Sequence, residues 1–220
     1  VGAVGLGWFA ACLTLVMALP LLVGLWVYDD VTRRMVAHDL GLCTGLTEDG
    51  GNEALTPWLH ALIQQVAGRS LSDPPLTFGD LWNAPGFPPR WLNVPADPKP
   101  RSIDLQMFST NLSHGRPYIF PLPERNPQPT RFHDRDRLYF TEREMKRCLP
   151  VDVVAWMVEK SKPYTVEPGR EEKDPPADTE KGMREVPEPR DFPVLLAARM
   201  SLSFPFLFTA VPLHAIDHDP

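Results

Sequence analysis

The chain has 220 residues and a formal net charge of −6, enough for one domain with a core of its own. Its 22 Lys and Arg gather into no stripe, which argues against nucleic acid as a partner. Its three cysteines, Cys12, Cys43 and Cys148, lie far apart and form no CxxC; separate reduced thiols are the expectation, not a disulfide scaffold or a zinc knuckle.

Val1 to Tyr28 contains no Asp, Glu, Lys, Arg or His. A run of about 20 apolar residues is enough to cross the hydrocarbon core of a bilayer. Trp8 and Phe9 stand near one end, Trp26 and Tyr28 at the other, as at the headgroup level of a span. The expectation is a transmembrane segment over 1–28, with Pro20 kinking it and Gly2, Gly5 and Gly7 allowing close helix packing. A buried helix of a soluble α/β core is the competing reading. No basic leader or small-residue cleavage site marks a signal peptide. The apolar start at Val1, and the stop at Pro220 just after another apolar run, read as a central piece of a longer protein. A processed or truncated product is the alternative.

Asp30 to Leu40 reads as a short amphipathic helix, broken by Gly41 to Gly45. Thr56 is placed as an N-cap, Pro57 in the first turn, and Trp58, Leu59, Leu62, Ile63 and Val66 recur at helical spacing before Gly68. Leu76 to Trp82 is a second short amphipathic turn or helix, and Pro85 to Pro100 a proline-rich loop. Ile103 to Leu112 reads as a strand. Gly115-Arg116 turns it, and Pro117 to Phe120 returns as the second strand of a hairpin. Leu138 to Phe140 is extended. Thr141 and Glu144 form a capping box for the next helix, and Val153 to Val158 reads as another. Lys160 to Arg190 is dense in charge and proline, and is expected to be a mobile surface insertion. Val194 to Ser203 is a helix entering the core, which Pro205 ends or kinks.

Several stretches carry a resemblance. They are Gly41-Leu42-Cys43-Thr44-Gly45, Leu55 to His60, Leu76 to Trp82, Asp104 to Leu112, Ala198-Arg199-Met200-Ser201-Leu202-Ser203-Phe204-Pro205, and Val211-Pro212-Leu213. In this order they resemble patatin-like phospholipases of a bacterial, membrane-associated branch, from about Gly41 to Asp217. The resemblance implies an α/β fold, here the central part of a three-layer α/β/α domain over 29–220 behind an apolar transmembrane helix. It implies a mostly parallel sheet and a Ser-Asp dyad. It also implies an inner-membrane protein with its hydrolase part on the cytoplasmic side and membrane lipids as substrate.

Neither dyad motif is in the chain. No Gly-x-Ser-x-Gly occurs, and Asp49-Gly50-Gly51 stands before the matching blocks, where a turn explains it. No catalytic, cofactor or metal residue is therefore assigned within 1–220, and no cofactor is expected. Ser201 and Ser203 are expected to pack, two apart on different helix faces. Arg199 is expected to form a structural ion pair, with a carboxylate or phosphate ligand as the other reading. His214 and His218, with Asp217 and Asp219 beside them, have metal-like spacing, but Asp219-Pro220 disfavours a continuing helix. His133, Asp134 and Asp136 read as solvated charge, and Asn111, Ser113 and His114 as turn chemistry.

The expected function is a share in acyl-ester hydrolysis of lipids by a serine hydrolase whose dyad lies outside these residues. The alternative is a non-catalytic, membrane-anchored interaction module of degenerate patatin-like type. The chain alone is expected to be inactive, and its protein partners are left open.

Overall fold

The computed structural model describes residues 2–29, 32–33, 41–47, 54–86, 101–111, 113, 115–123, 138–165, 182–203 and 206–215. In chain order the elements are α1 (Gly2–Asp29), β1 (Gly41–Cys43), α2 (Leu55–Val66), α3 (Phe78–Trp82), β2 (Met107–Thr110) and β3 (Pro117–Phe120). Then come β4 (Leu138–Thr141), α4 (Glu142–Met145), α5 (Val151–Lys160), β5 (Met183–Glu185), α6 (Val194–Ser201), β6 (Phe206–Phe208) and β7 (His214–Ala215).

The strands form three small open sheets. β1 pairs with β6 in parallel, β2 with β3 antiparallel, and β4 lies between β5 and β7 with both pairings antiparallel. The expected hairpin is present in the register Met107↔Phe120 to Thr110↔Pro117. Gly115 turns at φ +61, and the Asn111 side-chain oxygen accepts from the Ser113 amide.

The expected fold class is corrected here. A mostly parallel, three-layer sheet is not what the described residues build: only β1–β6 is parallel, and the other pairings are antiparallel. The physical reason is local. β2 and β3 are joined by a tight turn, which only antiparallel strands allow. β4 has taken antiparallel neighbours on both edges, so neither can join the parallel pair.

The transmembrane segment over 1–28 is also corrected, and the inner-membrane location with it. Among the described residues no helix is long and apolar enough to cross a membrane. α1, Gly2–Asp29, contains Pro20, which removes one of its internal hydrogen bonds.

The core lies where α5 and α6 meet β4 and the α3 turn. Phe78, Phe140, Met145, Val153, Val154, Met157, Leu195, Leu196 and Phe192 are buried within it. Val153, Val154 and Met157 share one face of α5, as their spacing requires. Phe192 stacks on Phe120 at 5.5 Å and tilts against Phe78 at 6.2 Å, joining hairpin, loop and helix turn. Thr77 caps α3 through a reciprocal box with Asp80. At α4, Thr141 accepts from the Glu144 amide and donates to its carboxylate at 2.6 Å.

Two local expectations shift. Thr56 is inside α2, not its N-cap, because the helix starts at Leu55 behind Ala54. The strand expected over Ile103 to Leu112 narrows to Met107–Thr110. Within the stretch 160–190, residues 166–181 lie outside the described residues, and Met183–Glu185 pairs with β4. The helix expected over Asp30 to Leu40 also lies outside them, apart from residues 32 and 33.

Candidate functional site

The densest polar construction sits where the parallel strands β1 and β6 end. Arg199 is carried there by α6, whose residues Val194 to Met200 are all buried. Its Nη2 donates to the carbonyls of Thr44 at 3.1 Å and Thr209 at 3.0 Å, each one residue past its strand. Its Nη1 donates to Ser203 Oγ at 2.9 Å, and that hydroxyl donates to the Arg199 carbonyl at 2.9 Å. The Phe208 ring lies 5.3 Å from the guanidinium. Thr209 completes the seam, its amide and hydroxyl both donating to the Cys43 carbonyl.

Arg199 is fully buried and among the described residues has no carboxylate partner. The expected ion pair is thus replaced by carbonyl and hydroxyl acceptors. Burial draws its pKa down, and Cys148 and Cys43 oppose that shift. A guanidinium nevertheless keeps its proton in proteins, so a buried cation is held by dipoles alone. Its Nε and the hydroxyl of Thr56 are buried without hydrogen-bond partners among the described residues.

Glycine makes the approach feasible at two points. A Cβ on Gly41 would stand 2.0 Å from the Thr209 nitrogen, so no side chain fits between β1 and the end of β6. Gly45 turns at φ +79, and a Cβ there would meet Thr56 Oγ1 at 2.8 Å. The Gly45 carbonyl in turn receives the Thr56 amide at 3.0 Å, tying the loop to α2.

α2 turns an unusual face inward. Its buried residues are Thr56, His60 and Gln64. Gln64 is well used: its amide donates to the carbonyls of Ser70 and Pro74, and its oxygen accepts from the Leu76 amide at 2.9 Å. His60 Nδ1 is 3.7 Å from Asp152 at the start of α5, and its Nε2 is buried without a hydrogen-bond partner among the described residues. Burial lowers the His60 pKa, and Asp152 pulls the other way. Sequence reasoning missed this stripe. Its signal was the i, i+4, i+8 spacing of three polar residues, which the louder apolar pattern of the same helix concealed.

An open cleft of about 470 Å³ lies between Arg69, Asp73, Pro74, Pro75, Thr77, Asp80, Trp156 and Asp191. Its central groups already bind each other: Arg69 meets Asp80 at 2.8 Å, and Trp156 Nε1 donates to the Asp191 carbonyl. On the far side of the core, His214 Nε2 lies 2.9 Å from Glu144. Burial pushes the Glu144 carboxyl up, but hydrogen bonds from Thr141 and His214, with the charges of His214 and Arg147, hold it below its ordinary value.

Ser201 and Ser203, the serines singled out from sequence, both donate to backbone carbonyls. Ser201 donates a short bond to the Phe108 carbonyl, and Ser109 to the Met200 carbonyl. These two bonds clamp the hairpin to α6. Among the described residues no base is a hydrogen-bond partner of either. Among the described residues no group of three His, Cys, Asp or Glu could hold a metal ion. Asp49 to Gly51, His114, His133, Asp134, Asp136, Asp217, His218 and Asp219 lie outside the described residues.

The class these features define is a mixed α/β chain with open sheets and a buried arginine seam. The chain is 35% identical over 190 residues to a protein of Rhizobium meliloti (strain 1021) named RpoH suppressor; the match takes in 84% of this chain and 25% of that protein. The chain therefore spans about a quarter of the length of the curated relative it matches. No family model matches the chain, and no solved structure does. The resemblance to patatin-like phospholipases is accordingly corrected: the relative is an RpoH suppressor, and no family model supports the other reading. The stretches behind the resemblance are short and locally determined. Leu76 to Trp82 is a helix cap, and Ser109 and Ser201 are packing ties, features that recur in many folds.

Proposed function

We propose that this chain is a docking part of a longer polypeptide, whose strands extend the parallel pair β1–β6. The observation that carries the reading is the pair itself, two parallel strands of three residues each. Parallel strands persist as larger sheets covered on both faces, and two strands alone are marginal in water. The relative's length, of which the match takes in 25%, supports the same reading. Its name ties that protein to suppression of RpoH, and this chain contributes to that outcome as a structural partner, not as a catalyst. The test is co-expression of the tagged chain with the parts of the Rhizobium meliloti protein outside the 190 matched residues. Stable co-purification, lost on Gly41→Val, is expected. A chain that never retains those parts rejects the reading.

A second reading is a share in serine-dependent hydrolysis of lipid acyl esters, with nucleophile and aspartate base outside these residues. The parallel pair β1–β6 favours it, since ligands of open α/β sheets bind beyond the carboxyl ends of parallel strands. Turnover of a nitrophenyl ester by the longer polypeptide, abolished by replacing one serine outside this chain, would favour it over the docking part. No turnover by a folded longer polypeptide would sink it.

A further inference from the structure

Two helices that pack together, α2 and α6, carry three buried polar atoms without hydrogen-bond partners among the described residues. They are Thr56 Oγ1 and His60 Nε2 on α2, and Arg199 Nε on α6. Thr56 and Arg199 are wholly buried, and His60 is 4% exposed. Gly45 shows how two of the three converge. A β-carbon there would meet Thr56 Oγ1 at 2.8 Å, Arg199 Nε at 3.5 Å and Arg199 Nη2 at 3.7 Å. The corner is thus lined by polar atoms, and glycine keeps it clear of a side chain. His60 stands one turn along the same face of α2. Helical side chains lean toward the N-terminal end of their helix, which carries its ring toward Thr56.

The three atoms differ in what they need. Arg199 Nε can only donate. His60 Nδ1 faces the Asp152 carboxylate at 3.7 Å. A carboxylate can only accept, so the imidazole proton belongs on Nδ1, and Nε2 is left to accept. Burial lowers the His60 pKa, which keeps the ring neutral at pH 7. The Thr56 hydroxyl can do either. A cation cannot meet Arg199, an anion cannot meet the bare Nε2, and an apolar group would leave all three unpaired. What fits is a small ligand that both donates and accepts.

We propose that one buried water molecule joins these atoms, accepting from Arg199 Nε, donating to His60 Nε2 and making its third bond to Thr56 Oγ1. Buried waters typically make about three such bonds to polar groups left otherwise unpaired. Immobilising one water costs less than leaving three buried groups unsatisfied. The water extends the arginine seam. A polar chain then runs from the Thr44 and Thr209 carbonyls through the guanidinium and the water to His60 and Asp152. It fixes α2 against the strand ends on one side and the start of α5 on the other. This site goes beyond the docking reading above and does not depend on it.

The experiment is a high-resolution crystal structure of the full 220-residue chain grown in sodium bromide, beside Thr56→Ser and Thr56→Val variants. Nitrogen chemical shifts of the His60 ring are read in solution at pH 7.5. The expected result is one ordered water within hydrogen-bond distance of all three atoms, kept in Thr56→Ser and lost in Thr56→Val, with the His60 proton on Nδ1. A wild-type corner without that water overturns the proposal. So does an anomalous bromide peak there, which would make the ligand an anion, or a His60 proton found on Nε2. A water kept at full occupancy in folded Thr56→Val would also overturn it, since Thr56 would then not be a partner. If Thr56→Val does not fold, the wild-type and Thr56→Ser structures decide.

Discussion

At the scale of single residues, Arg199 has the most at stake. Three acceptors hold its guanidinium in a site with no access to bulk water. Arg199→Met removes the cation but leaves the Thr44 and Thr209 carbonyls without that donor, at about 1–3 kcal/mol each. The expected outcome in urea denaturation is a loss of roughly 2–6 kcal/mol from the two carbonyls together, with Arg199→Lys recovering only part, since an ammonium cannot fork to both carbonyls. A loss under about 1 kcal/mol would show the seam to be incidental. His60 gives a pH prediction. Burial sets its folded pKa below the ordinary 6.5, so the unfolded chain takes up the proton first as pH falls. Its stability contribution is complete above about pH 6.5 and is lost as pH drops through the folded value. Thermal melts between pH 7.5 and 5 should therefore decline more steeply in the wild type than in His60→Gln. Parallel slopes would refute this.

At the scale of elements, the hairpin, the loop before α6 and the α3 turn are joined by one side chain. Phe192 touches the rings of both Phe120 and Phe78, while its carbonyl accepts from the Phe78 amide. Phe192→Ala should cost about 3–5 kcal/mol, the range for a buried ring that leaves a cavity. Denaturation followed by tryptophan fluorescence measures it, with Trp82 in the same cluster as reporter. Much at this scale was legible beforehand. The hairpin announced itself through Gly115 between two apolar runs, and α5 through Val154 and Met157. Thr56 misled because a threonine followed by proline reads as a cap and first turn, whereas contact with Gly45 draws it inside the helix.

At the scale of the whole molecule, the three sheets differ in support. β4 is buried along Leu138, Tyr139 and Phe140 and paired on both edges. The β1–β6 pair is short, and Cys43 and Leu207 are exposed on it. Hydrogen exchange should be slowest for amides of β4 and α5, and several orders of magnitude faster at Thr209 and along β6 in the isolated chain. Protection at Thr209 equal to that in β4 would contradict an incomplete parallel pair.

The sequence by itself determined the local pieces: the hairpin, the α4 cap, the core-facing positions of α5 and α6, and the lack of a nucleophile motif. These follow from turn chemistry, capping and periodicity, which act over a few residues. Only the tertiary structure decided which strand pairs with which, and therefore that the sheets are small and mostly antiparallel. Partner choice depends on residues such as Cys43 and Phe208, or Tyr139 and His214, that lie far apart in the chain. The same holds for Arg199. Its charge is plain in the sequence, but that it is buried against carbonyls and not against a carboxylate follows from Gly41 and Gly45 letting two strand ends close around it.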